Sequence, residues 1–210
     1  MSSAADKKLQ LFVATGNKDK IVEIREKFIN LNLEIFVPED LQINFEVEET
    51  GTSLEENALL KARAGARASG MLTLADDTGL KVEALDGRPG IYSARFAGNN
   101  ASYEDNNRLL LEKMSDIPEE NRGASFVTVA ALVAPGSGDN YTVRGICHGK
   151  IASKPSGEKG FGYDPLFYLS GIEMTMAQLS TREKNLISHR ARALRKIQIL
   201  LERHFIFNCC

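Results

Sequence analysis

Apolar residues along this chain come in short runs and in two clean periodicities. "LQLFVAT" (9–15) is a compact apolar run that stops at Thr15-Gly16-Asn17, after which Ile21, Ile24 and Phe28 recur at helical spacing. This predicts a strand, a tight turn and a helix. "LEIFV" (33–37) predicts a second strand, and "INFEVEETG" (43–51) alternates Phe45 and Val47 with Glu46 and Glu48, the period of a half-buried strand. Ser53 followed by Glu56 opens an Ala-rich helix that Gly70 closes. "MLTLA" and "LKVEAL" then predict two buried strands, with the doublet Asp76-Asp77 in a polar turn between them. A helix is predicted over 101–114. "ASFVTVAALVA" and "YTVRGICHGKIA" pair as a hairpin across "GSGDN", and "LFYL" adds a short strand. Ser180 with Glu183 starts a last helix running to about Phe205. Helices mixed with an antiparallel hairpin predict an α/β fold with a mixed sheet.

Composition narrows the class without deciding function. At 210 residues, with 43% hydrophobic and 26% charged, the chain can bury a sizeable core as one large domain or two small ones. Lys and Arg (26) nearly balance Asp and Glu (28), so no global charge points to a nucleic-acid or membrane partner, and an anion site must be local. No apolar run is long enough to span a bilayer and "MSSAADKK" lacks a signal-peptide core, which predicts a cytoplasmic protein. Cys147, Cys209 and Cys210 suit neither a disulfide framework nor a zinc site, and residues 206–210 read as a frayed tail.

Candidate chemistry gathers at four places. A strand that ends in "TGNKDK" and feeds a helix presents free N–H groups and a positive helix end, with Lys18 and Lys20 where cations oppose the macrodipole unless an anion is near. An ordinary turn with solvated lysines fits this segment equally well. Carboxylates cluster at Glu46, Glu48 and Glu49 and again at Asp76 and Asp77, and hard cations such as Mg²⁺ take one or two of these, filling their shell with water and phosphate. Adjacent aspartates point to opposite sides of a strand, so the doublet has divided roles, unless it simply ends the strand. In the last helix Arg190 falls in a stripe with Leu186, Leu194, Ile197 and Leu201, where burial demands an acidic partner or a ligand. His189 and Lys184 read equally as surface positions. "GFGYDPLF" sets aromatic rings beside backbone donors, either as a base-stacking platform or as a core-plugging turn.

In this order and spacing, "ATGNKDK", "EETGTSLEENALLKA", "ADDTGLKVEALDGRPGIYSARFAG", "GFGYDPLF" and "EKNLISHRARAL" resemble the inosine and xanthosine triphosphate pyrophosphatase family over nearly the whole chain. The resemblance implies a single domain over 1–210, an elongated mixed sheet flanked by helices, and two lobes with a nucleotide cleft between them. It also implies a homodimer, Mg²⁺ dependence, and hydrolysis of ITP, dITP and XTP to the monophosphate and pyrophosphate. Thr15, Gly16, Asn17 and Lys20 would hold the triphosphate. Glu48 and Asp77 would bind the metal, with Asp77 also the general base, and Thr78, often Ser in the family, would line the phosphate or sugar region. Phe161, Gly162, Tyr163, Asp164, Lys184, His189 and Arg190 would recognise the nucleotide and its base. Two alternatives share the cleft: a non-catalytic purine nucleotide-binding module, and a pyrophosphatase for modified or pyrimidine nucleotides.

Overall fold

Three of the predicted strands run parallel at one end of a single sheet. The structure, a computed structural model, describes residues 8–136 and 138–206. Strand β1 (Leu9–Val13) lies between β2 (Leu33–Phe36) and β3 (Leu72–Val82), parallel to both. Helices α1 (Lys18–Lys27) and α2 (Leu54–Ser69) make the crossovers. From β3 onward the sheet is antiparallel: β5 (Gly123–Val133) pairs with β3 over ten registered positions and with β6 (Asn140–Ile151) over eleven. The short strands β7 (Phe167–Leu169) and β8 (Met174–Thr175) follow, and β4 (Pro89–Gly90) adds to β3, giving the order β2-β1-β3-β5-β6-β7-β8. The mixed α/β architecture is as the pattern predicts.

Three apolar clusters hold the sheet. Because side chains alternate along a strand, Leu11 and Val13 of β1 face one side with Leu72 and Leu74 of β3, where they pack on α1 and α5 (His189–Leu201). Phe12, Ala14 and Ala75 face the other side, against Leu54, Ala58, Ala62 and Ala66 of α2. Further along β3, Leu80 and Val82 join Leu110 of α3 (Tyr103–Lys113) and its C-cap Met114 with Phe126, Leu166 and Phe167. Arg122 fastens this end: its buried guanidinium donates to the carbonyls of Met114, Ile117, Ile151 and Ala152, using four acceptors in place of a carboxylate. The last helix sits close on β6, where a side chain at Gly145 would strike the His189 carbonyl.

Three predicted elements differ from the observed ones. Asp76 and Asp77 do not sit in a turn: "MLTLA" and the start of "LKVEAL" are one strand, with Asp76 opposite Ala130 and Asp77 opposite Val129. The ladder to β5 fixes the backbone there, and ion pairs accommodate the charge. "INFEVEETG" keeps its alternation of burial but pairs with no strand among the described residues, so side-chain packing alone holds its period. The long last helix is two: α4 (Thr181–Ile187) ends at Ser188, whose backbone is extended (φ −66°, ψ 162°) and whose side-chain hydroxyl caps α5 by accepting from the Ala191 N–H. Leu186 thereby leaves the stripe and is 63% exposed, while Arg190 stays in line with buried Leu194, Ile197 and Leu201. Of the predicted tail, Ile206 packs on the α1–α5 cluster, and Cys209 and Cys210 lie outside the described residues. Among the described residues no helix is long and apolar enough to cross a membrane.

Candidate active site

A cleft of about 330 Å³ opens where the β3 aspartates, the β1–α1 turn, the "GFGYD" turn and the start of α5 converge. Its size suits a small-molecule ligand. Thr15, Gly16, Asn17 and Lys20 line one end, and Phe161, Gly162, Tyr163, Asp164, Lys184, His189 and Arg190 line the other, with Asp77 and Thr78 on the wall. Asn17 caps α1 by accepting from the Lys20 N–H at 3.1 Å, which brings the Lys20 ammonium over the strand ends. Lys18 is exposed and does not line the cleft. Glu48 is also exposed and outside the lining, whereas its neighbour Glu49 is in it, on the same alternating face as Phe45 and Val47.

The two aspartates look into different electrostatic worlds. On the α5 side, buried charges alternate in a chain: Lys20 contacts Asp76 (3.1 Å), Asp76 meets Arg190 (3.2 Å), Arg190 meets Glu23 (2.6 Å), and Glu23 and Asp164 share Lys184 (2.7 Å each). Three cations face three anions, which is the condition under which such charges tolerate burial. Burial alone would raise the Asp76 carboxyl, but Lys20, Arg190 and Lys61 outweigh it and hold the group well below the usual carboxylate range. Burial lowers the Lys20 ammonium, which Asp76 only partly offsets. Thr78 ties in by donating to Asp76 Oδ2 (3.1 Å) while accepting from Arg190 (3.3 Å) and pairing with Thr128 across the ladder (2.7 Å).

On the α2 side, Lys61 bridges Asp77 Oδ1 and Glu49 Oε1 at 2.8 Å each, and Asn57 donates to Asp77 Oδ2 at 3.3 Å. The second arm of Asn57 accepts from the Gly51 N–H, which ties the Glu49 segment to the strand. Burial raises the Asp77 carboxyl, Lys61 offsets this in part, and Glu49 adds to the rise. Asp77 is therefore the more basic and more accessible of the doublet. For Lys61, burial works against the ammonium, but Asp77 and Glu49 prevail and keep it protonated.

At the far end Phe161 carries two cations on its ring, Lys184 at 5.2 Å and Arg190 at 5.4 Å from the centroid. Asp164 accepts from the Phe161 N–H (3.1 Å) and Tyr163 donates to the Ser93 carbonyl (2.9 Å), so this turn is fixed from both sides, with Gly162 supplying its positive φ of 61°. His189 stacks on Phe126 at 4.5 Å and is buried. Burial first, then Arg190 and Lys184, lowers its pKa far enough that the ring is neutral at physiological pH, and its Nδ1 has no partner among the described residues.

Sequence reading of the site missed Glu23, Asn57, Lys61 and Tyr103. A signal existed for three. Glu23 sits beside Ile24 on the buried face of α1, and Asn57 and Lys61 interrupt the Leu54, Ala58, Ala62, Ala66 stripe of α2, the same anomaly that marks Arg190.

This geometry has counterparts. The Ham1 family model matches residues 11–199, and the chain belongs to the Ham1 family. A dITP/XTP pyrophosphatase of Geobacter sulfurreducens is 49% identical over 185 residues, covering 88% of this chain and 92% of that protein. One from Thermoanaerobacter pseudethanolicus is 46% identical over 190 residues, covering 90% and 95%. Among solved structures, the Ham1 protein of Staphylococcus aureus superposes with a TM-score of 0.81 at 42% identity, covering 92% of this chain and 98% of that one. A HAM1 protein from Coxiella burnetii gives 0.84 at 36% identity, covering 92% and 98%.

Proposed function

We infer that this chain hydrolyses non-canonical purine nucleoside triphosphates, ITP, dITP and XTP, to the nucleoside monophosphate and pyrophosphate, acting on the cytoplasmic nucleotide pool. One observation carries the reading: a lysine-bridged pair of carboxylates and a wall of buried, pre-arranged donors share one cleft. Relatives at 46–49% identity bear the name dITP/XTP pyrophosphatase.

The turn at Thr15–Asn17, its helix end and Lys20 receive the triphosphate, which needs its charge neutralised before any nucleophile can approach. Asp77 takes the proton from the attacking water. The water oxygen bonds to the α-phosphorus, the bond to the bridging oxygen breaks, and pyrophosphate leaves. The raised pKa of Asp77 makes it a better base than Asp76.

We propose Mg²⁺ as the cofactor. Asp77 and Glu49 fit it: two carboxylates already share one cation between them, and Mg²⁺ draws its remaining ligands from water and phosphate. Among the described residues no third acidic, His or Cys side chain joins them. Family resemblance names Glu48 instead of Glu49, and the exposed position of Glu48 disfavours that choice. When bound, the ion supplies charge neutralisation at the phosphates.

At the base end, three of the five N–H donors of Arg190 are engaged, with Asp76, Glu23 and Thr78, leaving two for a ligand. A 6-carbonyl on hypoxanthine or xanthine accepts from these, whereas the 6-amino group of adenine would oppose them. Phe161 offers the ring for stacking. We also propose that two copies of this 23.1 kDa chain pair in solution, each a single domain with its cleft between two lobes, and a sedimenting species of one chain's mass would refute the pairing.

The decisive measurement is pyrophosphate release from ITP, XTP, GTP, ATP and dUTP by wild type, with Mg²⁺ or with EDTA, and by Asp77→Asn. Release from ITP and XTP that EDTA abolishes is expected, with kcat lowered roughly 10²–10⁴-fold in the variant. If wild type binds ITP without turning it over, the protein is a nucleotide-binding module.

A further inference from the structure

Tyr103 is the one exposed aromatic residue among the cleft lining, and nothing in the site described so far employs it. It opens α3, held in place by the capping box of Ser102 and Asp105, and so stands on the rim instead of the floor. Its phenol oxygen accepts from the Asn17 side-chain amide at 3.3 Å. Its ring lies 6.1 Å from that of Phe161, tilted by 41°. Tyr103 thus touches one residue from the phosphate end of the cleft and one from the base end. The hydrogen bond from Asn17 uses an acceptor site of the phenol, so its O–H proton has no acceptor among the described residues.

In a nucleotide the group that joins phosphate to base is the sugar. We propose that Tyr103 is a substrate-binding residue that donates its phenolic hydrogen bond to an oxygen of the nucleotide's sugar, with Asn17 setting the direction of that hydroxyl. This rests on the nucleotide reading of the cleft and adds a contact to it. Asn17 is the coupling element: its carbonyl oxygen is committed to the Lys20 N–H, which orients the amide group toward Tyr103. The hydroxyl therefore arrives pre-aimed, and its loss should weaken ground-state and transition-state binding alike.

The test is Tyr103→Phe, which keeps the ring against Phe161 and deletes only the hydroxyl, assayed with ITP alongside inhibition by inorganic tripolyphosphate, a probe with phosphates but no sugar or base. Expected is a KM for ITP raised about 3–10-fold, the range for one neutral hydrogen bond, with kcat within about twofold and tripolyphosphate inhibition unchanged. An unchanged KM overturns the proposal. So does an equal weakening of tripolyphosphate, which would mean that the residue acts on the phosphate end through Asn17. A wild type inactive on ITP would strike the functional reading itself, whereas an active wild type with an indifferent variant strikes only Tyr103.

Discussion

Asp76 and Asp77 share a strand and a residue type, yet their surroundings are opposite. Asp76 ends in a chain of compensating charges contributed by α1, α4 and α5, where every cation has an acid and the carboxyl is locked in its ionised form. Asp77 faces α2, where a single lysine is shared with a second carboxylate and burial makes proton uptake easier. Alternation along β3 alone produces this division, since consecutive residues must face opposite layers. A protein can therefore hold a structural acid and a reactive one within a single dipeptide, provided the two faces of the sheet carry helices of different charge.

The comparison breaks most visibly if Asp76 proves dispensable to the fold. Asp76→Ala strips Arg190 of one partner and Lys20 of its one ion-pair partner among the described residues, and removing one member of a buried network costs about 3–5 kcal/mol. Urea denaturation at neutral pH should show that loss, while Asp77→Asn, whose carboxyl the fold already disfavours as a charge, should stay near wild type. Equal losses at the two positions would erase the distinction. A smaller effect sharpens the comparison through His189, which belongs to the Asp76 side and is buried neutral. Its folded pKa lies below the unfolded value of about 6.5, so the unfolded chain binds the extra proton as pH falls and stability drops with it. Between about pH 6.5 and 5 the wild type should lose up to about 1.4 kcal/mol per pH unit relative to His189→Gln. Parallel pH profiles of the two proteins would place a charged imidazole in the folded state.

Much of this arrangement is legible in the residues themselves. Apolar runs identify β1, β5 and β6, capping residues locate the starts of α2 and α4, and Arg190 announces a partner by interrupting a buried stripe. What escapes reading depends on partners distant in sequence. The strand through Asp76-Asp77 looks like a turn because two charges are unfavourable until Lys20, Lys61 and Arg190 arrive from three other elements. Ser188 hides its helix break because the flanking sequence "LISHRARAL" has helical periodicity on both sides, and only the extended backbone at that residue reveals the cap. Glu49 stands in the cleft in place of Glu48 because the alternation that begins at Phe45 turns odd positions inward and Glu48 outward with Glu46.

The long ladder between β3 and β5 has a consequence for how the molecule breathes. Ten registered positions with Asp76 and Asp77 near their middle place both acids on a backbone whose amides open only with the sheet itself. Tyr103, on the first residue of α3, stands outside this ladder and is held by its own capping box and by Asn17. The two acids thus keep their spacing through every local opening short of one that parts the sheet itself.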